Sequence, residues 1–134
     1  MGSKSDAFEV DVLKAATGQA TTILTTTPIA QVNLRLYTTA PTDSAAGVEV
    51  SGGGYAPQDT KGKWGVPTAG NPAQVANNAV VTFPTATADW GQVVACSIGT
   101  GGVQMYWGML NTAKTVLTGD VPSFAIGQLV ITED

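Results

Sequence analysis

The stretch VNLRLY at residues 32–37 decides the fold class, because apolar and polar residues alternate along it. Val32, Leu34 and Leu36 fall on one face of an extended chain, and the residues between them are polar. This period of two is typical of a β-strand that is buried on one face and exposed on the other. A helix would instead need apolar residues three and four positions apart.

Outward from this strand, short strand candidates are separated by turn residues. They lie at residues 48–50, 54–59, 79–83, 92–98, 103–110, 115–117 and 128–132. The glycine-rich residues 99–102 lie between the strand candidates 92–98 and 103–110 and predict a hairpin. Most of the segment at residues 61–78 is predicted to be a long polar loop rich in Gly and Pro. We therefore predict a mainly β fold, an antiparallel β-sandwich or jelly-roll-like barrel with one short N-terminal helix.

The N-terminal helix is predicted at residues 6–17. Asp6 followed by Glu9 has the form of an N-cap with its capping partner, and Gly18 supplies a stop. Apolar residues recur at helical spacing between them, at Phe8, Val12, Leu13 and Ala16. The apolar face packs either on the chain's own sheet or on a neighbouring subunit. We expect residues 1–27 to form an N-terminal arm and residues 28–134 to form the β-sandwich domain.

Composition excludes several chemistries. The chain has no histidine, which removes Ser-His-Asp and Cys-His catalysis and the commonest transition-metal ligand. A single cysteine, Cys96, excludes an internal disulfide and a cysteine-based zinc site, and its apolar neighbours predict a buried thiol. Six scattered basic residues and a net charge of −4 argue against nucleic-acid binding. We predict no enzyme activity, no catalytic residues, no cofactor and no metal.

Five of the ten acidic residues could meet in space as a catalytic pair, but each lies beside a turn residue or on an alternating strand, where solvent exposure and backbone capping explain it. These five are Asp43, Glu49, Asp59, Asp89 and Asp120. No apolar stretch approaches the ~20 residues that span a bilayer, and no signal-peptide pattern is visible, so we expect no membrane partner and synthesis in a cytoplasm. Only 12% of residues are charged, against about 25% in soluble domains, which favours a component of a packed assembly.

Two groups of residues are candidates for binding a protein partner. The first is the apolar face of the helix, and the second pairs lysines with an aromatic ring in the segment TKGKWG at residues 60–65. The candidate partner-binding residues are Phe8, Val12, Leu13, Lys61, Lys63 and Trp64. For Trp64 the alternative is a structural role, in which the ring covers one end of the sandwich.

Five segments occur in a recognisable order along the chain: LYTTAPTDSAAGVEVSGGGYA from residue 36, NNAVVTFPTATADWGQV from 77, YWGML from 106, KTVLTGD from 114 and FAIGQLVIT from 124. In this order they resemble a family of small virion structural proteins of tailed bacteriophages, often labelled tail fibre proteins and including capsid decoration proteins. Residues 41–56 and 83–91 are the most specific parts. The resemblance implies a β-sandwich assembly protein without known catalysis.

The residue types at positions 83–91 also predict a rigid corner of the chain. Phe83 ends one strand, Pro84 stops its hydrogen-bond ladder, Asp89 closes the turn and Trp90 fills the core.

We expect the protein to be a capsid decoration, or cement, protein that binds the major capsid protein lattice as a homotrimer. A compact domain with a short arm suits this role, whereas a fibre shaft needs repeats and none is visible. The alternative is a structural subunit of the tail or tail fibre. A carbohydrate-binding role would use exposed aromatics, with Trp64, Tyr106 and Trp107 as candidates, and a glycan hydrolase would use carboxylates such as Asp89 and Asp120.

Overall fold

The structure, a computed structural model, describes residues 5–22 and 28–133, and these residues form one helix and nine strands. In chain order they are α1 (Asp6–Ala16), β1 (Asn33–Thr39), β2 (Val48–Glu49), β3 (Gln58–Asp59), β4 (Ala73–Ala76), β5 (Val81–Thr82), β6 (Gly91–Thr100), β7 (Val103–Val116), β8 (Ser123–Phe124) and β9 (Val130–Glu133). The pairings of β1 with β2, β3 and β6, of β6 with β7 and of β4 with β9 are all antiparallel. The predicted mainly β, antiparallel fold with one short helix is confirmed, and its sheets are compatible with a sandwich.

The chain divides into two units. Unit 1 consists of Met1–Val32, Thr60–Val81 and Phe124–Asp134, and unit 2 consists of Asn33–Asp59 and Thr82–Ser123. The predicted arm at residues 1–27 falls within unit 1. Because residues 1–4 and 23–27 lie outside the described residues, the predicted boundary between arm and domain stays a prediction.

The N-cap of helix α1 lies one residue earlier than the sequence pattern indicated, although the helix itself begins at Asp6. Its N-cap is Ser5, whose Oγ accepts a hydrogen bond from the backbone N–H of Phe8 at 3.3 Å. Asp6 is already helical, and with Glu9 it places negative charge in the first turn, where the helix dipole favours it. The helix ends at Ala16, followed by the Thr17 cap and by Gly18 with φ +72°. The predicted stop is therefore confirmed, and the predicted N-cap at Asp6 is wrong.

In unit 1, α1 packs against β4 and β9, which pair with Val75 opposite Ile131. Leu13 is fully buried, as expected if the apolar face of the helix lies on the chain's own sheet. Strand β4 lies inside the segment predicted to be a loop, so that part of the prediction is wrong. Its four residues, Ala73–Ala76, are too few to show a periodic signal, although Ala73 and Val75 are buried on either side of an exposed residue.

Asn77, directly after β4, is a buried polar side chain that joins three parts of unit 1. Its Nδ2 donates hydrogen bonds to the carbonyl oxygens of Ala79 at 2.9 Å and Ala125 at 3.0 Å. Its Oδ1 accepts a hydrogen bond from the N–H of Leu129 at 2.9 Å. Asn77 is only 2% exposed, and its Oδ1 gives the Leu129 N–H an acceptor inside the protein. The carbonyl oxygen of Ala125 also accepts from the N–H of Gln128. Asn77 therefore fixes the chain between Ala125 and Leu129.

Unit 2 is built on a sheet in the order β2-β1-β6-β7, with β3 also paired to β1. Leu34 and Leu36 of β1 are buried, as the period of two predicted. The predicted hairpin at residues 99–102 is confirmed, because Thr100 of β6 pairs with Val103 of β7 and Gly101 has φ +57° between them. Strand β7 runs without a break through both predicted strands 103–110 and 115–117 up to Val116.

The predicted corner at residues 83–91 is confirmed as a core element of unit 2. Phe83 and Trp90 are buried, and the ring of Tyr55 stacks on Phe83 with ring centroids 6.1 Å apart and meets the edge of Trp90 at 5.3 Å. The Trp90 indole N–H donates to the carbonyl oxygen of Gly53 at 2.8 Å. Gly53 has φ +56°, and a Cβ there would lie 2.8 Å from a carbon of the indole ring, so the close approach requires glycine.

Candidate functional site

The predicted partner-binding residues on α1 differ in how far they reach the surface. Leu13 is fully buried within unit 1, whereas Phe8 and Val12 are half-buried. The carboxylate of Asp11, also buried, accepts hydrogen bonds from the N–H of Thr22 at 3.1 and 3.0 Å. The buried face of the helix thus holds unit 1 together, while Phe8 and Val12 retain some exposure to solvent.

The segment containing Lys61, Lys63 and Trp64 is also tied to unit 1. The Trp64 ring is 6% exposed, and its N–H donates to Oγ1 of Thr60 at 3.0 Å. Lys61 is exposed and its Nζ donates to the carbonyl oxygen of Ile29 at 2.6 Å, while Lys63 is half-buried. Trp64 is thus packed within unit 1. Partner binding by Trp64 and the two lysines stays a prediction.

The acidic residues near turns act as acceptors for the backbone. Asp89 Oδ1 accepts hydrogen bonds from the N–H of Thr118 at 2.8 Å and from its hydroxyl at 3.1 Å, and Asp120 Oδ2 accepts from the N–H of Leu117 at 2.9 Å. Asp89 thus connects the corner at residues 83–91 to the turn at Thr118, instead of closing the corner's own turn as predicted. Within the described ranges, no group of three or more Cys, Asp or Glu side chains is arranged to hold a metal ion.

A chain of polar contacts crosses one face of the sheet in unit 2. Arg35 forms an ion pair with Glu49, whose two carboxylate oxygens lie 3.3 and 3.2 Å from one guanidinium nitrogen. The hydroxyl of Tyr55 donates to Glu49 at 2.8 Å and accepts from the N–H of Leu36 at 3.0 Å. Burial raises the pKa of Tyr55 well above its usual value, and the neighbouring Glu49 carboxylate adds to this increase. Tyr55 therefore stays a neutral donor at neutral pH.

A second polar cluster lies on the same sheet. The hydroxyls of Tyr37 and Ser97 lie 2.9 Å apart, and Gln104 Nε2 donates to the hydroxyl of Tyr37 at 2.7 Å and to the carbonyl oxygen of Ala46 at 3.2 Å. Both clusters are internally satisfied, which makes them supports of the sheet. Cys96, on the central strand β6, has a pKa raised to about 11 by burial, so its thiol is protonated and unreactive at neutral pH.

The most unusual surface of unit 2 is strand β7. Apolar side chains on alternate residues of this strand are exposed: Val103 by 66%, Met105 by 36%, Trp107 by 42% and Met109 by 60%. We call these four residues the β7 apolar stretch. Trp107 pairs with Ser97 and Met109 pairs with Ala95, which places these two side chains on one face of the sheet. Val103 pairs with Thr100 beyond a register shift, so its side chain lies on the opposite face. Of the three aromatics predicted to stack on a sugar, Trp107 is exposed, Tyr106 is half-buried and Trp64 is buried.

Sequence reasoning placed a strand at β7 but missed its exposure. The segment VQMYWGML carries apolar residues at both odd and even positions, so the alternation does not reveal which side faces the core. A usable signal was the lack of charge: no Lys, Arg, Asp or Glu occurs between Val103 and Ala113. An edge strand of a monomeric protein is commonly protected by such residues.

No helix in the described part of the chain is long and apolar enough to cross a membrane. No curated protein matches the chain. A family model described as podophage GP4 fiber I protein gp80 matches residues 3–132, nearly the whole chain. This match confirms the resemblance to phage virion structural proteins that was read from the ordered segments between residues 36 and 132. The chain therefore belongs to the family of the podophage GP4 fiber I protein gp80.

Proposed function

We propose that the chain is a structural subunit of the phage tail fibre assembly, which acts by binding protein surfaces and catalyses no reaction. The observation that carries this proposal is the pair Trp107 and Met109, which are 42% and 60% exposed next to each other on one face of the sheet, because adjacent exposed apolar side chains are characteristic of protein interfaces. The description of the matching family as a fiber protein supports a place in the fibre.

The chemistry of the described residues supports a role without catalysis. The carboxylates of Asp89 and Asp120 accept hydrogen bonds from the backbone of the turn at residues 117–118, and Glu49 is paired with Arg35. These contacts give the carboxylates a structural use. The Cys96 thiol is protonated at neutral pH, so it is a poor nucleophile.

The second candidate is the capsid decoration protein expected from the sequence, which would bind the major capsid protein lattice. The lack of a visible repeat in the sequence favours it. A fibre shaft is long and repetitive, so a fibre role for this chain is that of a compact subunit attached to other fibre proteins. Association into a homotrimer stays a prediction for either location.

Copy number and position in the particle distinguish the two candidates. Quantitative mass spectrometry of purified virions would measure copies of this chain relative to the major capsid protein, and gold-labelled antibodies would locate it by electron microscopy. We expect a few to tens of copies per particle and label on the tail. Hundreds of copies with label over the capsid would reject the fibre proposal and support the decoration protein.

A further inference from the structure

We propose that two bulges in strand β7 protect the edge of the sheet in unit 2 from pairing with another strand. The larger bulge, at residues 110–113, provides most of this protection. It keeps copies of the chain from joining edge to edge, while the faces of the sheet stay available for contacts with other proteins. The inference concerns the backbone edge of β7, so it holds for a tail subunit and for a capsid protein alike.

Strand β7 is the long edge of its sheet. The sheet runs in the order β2-β1-β6-β7, and no strand within residues 5–22 and 28–133 pairs with the outer side of β7. On the opposite side of the sheet, β2 and β3 have only two residues each, whereas β7 has fourteen. Unpaired backbone groups on an edge strand are a template for another strand, and natural proteins protect such edges with short strands, charges, prolines or bulges. The length of β7 means that it needs one of the other three.

The sequence of β7 supplies neither charge nor proline over most of its length. Residues 103–113 contain no Lys, Arg, Asp, Glu or Pro. The β7 apolar stretch lies in this segment, and no residue between Gly101 and Thr115 is buried. An accessible strand that is apolar, uncharged and free of proline is the type that adds to other strands and aggregates. Protection of this edge therefore has to come from the backbone.

The smaller bulge lies near the hairpin. Tyr106 pairs with Ile98, whereas the next pair joins Gln104 to Gly99, so Met105 is one extra residue on β7. An extra residue of this kind is left out of the ladder and bends the strand that carries it. The edge of β7 is thus irregular on the hairpin side of Tyr106.

The larger bulge lies at the other end of the regular pairing. Between the pairs Ala95–Met109 and Val93–Lys114, β6 has one residue and β7 has four, residues 110–113. Strand β7 therefore carries three extra residues at this point, and residues 111–113 are all exposed. Their backbone does not continue the line of the strand, so a second strand cannot follow the edge past them.

The two bulges leave a regular run of only four residues, 106–109, which is shorter than the usual strand of about five to six residues. Removing residues 111–113 would place Lys114 directly after Leu110. The register on either side of the bulge would then be continuous, because Leu110 would face Val94. The regular edge would extend through residues 106–110 and 114–116, eight residues in all. The larger bulge thus halves the edge on which another strand can pair.

The test compares the full wild-type chain with a variant that lacks residues 111–113. Both are incubated at about 100 μM and followed by thioflavin T fluorescence and by the fraction that stays in solution after centrifugation. We expect the deletion variant to form thioflavin-T-positive aggregates at least about tenfold faster than the wild type. The matched control N111A/T112A changes exposed side chains of the bulge but keeps its three extra residues, so it should behave as the wild type does.

A second variant separates edge pairing from general misfolding. Met109→Lys in the deletion variant places a charge on the lengthened edge, which should return the rate of aggregation to within about threefold of the wild type. The proposal is overturned if the deletion variant folds, as judged by circular dichroism and urea unfolding, and aggregates no faster than the wild type. It is also overturned if N111A/T112A aggregates as fast as the deletion variant, or if Met109→Lys does not slow aggregation.

Hydrogen exchange of the wild type decides the question if the deletion variant does not fold. The amides of residues 106–109 should exchange at the same rate at about 1 and about 100 μM, because no second copy pairs with the edge. Slower exchange of these amides at the higher concentration would show that another copy pairs with β7 in spite of the bulges, and the proposal would then be wrong.

Discussion

Replacing Asn77 with alanine removes the three side-chain hydrogen bonds that fix the chain between Ala125 and Leu129 in unit 1. The bond from the Leu129 N–H is buried, so losing its acceptor leaves an unsatisfied donor, which costs about 1–3 kcal/mol. The bonds to the carbonyl oxygens of Ala79 and Ala125 are partly buried, and each contributes about 0.5–1.5 kcal/mol. We therefore expect Asn77→Ala to lower the free energy of unfolding by about 2–6 kcal/mol.

The neighbouring Asn78 provides a matched control, because it has the same side chain but is exposed. Asn78→Ala should change the free energy of unfolding by no more than about 0.5 kcal/mol. Urea unfolding followed by far-ultraviolet circular dichroism measures both values. Hydrogen exchange should also show faster exchange of the Leu129 amide in Asn77→Ala. If the two variants unfold at the same urea concentration, and the Leu129 amide is equally protected in both, Asn77 does not have the role described above.

Three further predictions concern single residues in the core and at turns. Gly53→Ala should destabilise the protein by about 1–3 kcal/mol more than Gly52→Ala. Both glycines have positive φ, but a Cβ at Gly53 would lie 2.8 Å from a backbone oxygen, whereas a Cβ at Gly52 would meet no atom within 4 Å. Equal melting temperatures of the two variants would contradict this prediction. Cys96 should react with iodoacetamide at pH 8 about 100-fold more slowly in the folded protein than in urea, because its pKa is raised to about 11. Between about pH 9 and pH 11 the thiol loses its proton in the unfolded protein but keeps it in the folded protein, so the wild type loses stability as the pH rises through this window. The free energy of unfolding of Cys96→Ala should therefore fall less steeply than that of the wild type over the same window. Leu13→Ala should cost about 2–5 kcal/mol by opening a cavity, and Val66→Ala, at a residue 79% exposed, should cost less than about 0.5 kcal/mol in the same thermal melts.

Local patterns predicted the elements whose signals are contained in a few consecutive residues. The alternation at residues 32–37 identified β1, and the glycines at 99–102 identified the β6–β7 hairpin. The helix ends were predicted to within one residue, because caps and glycine stops act through neighbouring backbone groups. Strands β4 and β8, of four and two residues, were missed because they are too short to show a period.

The environment of individual side chains could not be predicted in the same way. The sequence did not reveal that Trp64 is buried or that its N–H donates to Thr60. Asn77 was assigned to a loop, although it is one of the best-satisfied buried polar groups of unit 1. Both outcomes depend on residues distant in sequence, and a single sequence does not reveal which distant residues meet.

The sequence by itself determined that this protein is a mainly β virion protein with few charges and no histidine, because composition, periodicity and ordered motifs are properties of neighbouring residues. Tertiary structure decided which apolar residues are core and which are surface. Leu34 and Trp107 both lie on strands and both are apolar, yet Leu34 is fully buried and Trp107 is 42% exposed. The reason is the register of the sheet: Leu34 pairs with Ile98, which pairs with Tyr106, whereas Trp107 pairs with Ser97, so Leu34 and Trp107 lie on opposite faces. That register is set by long-range strand pairing.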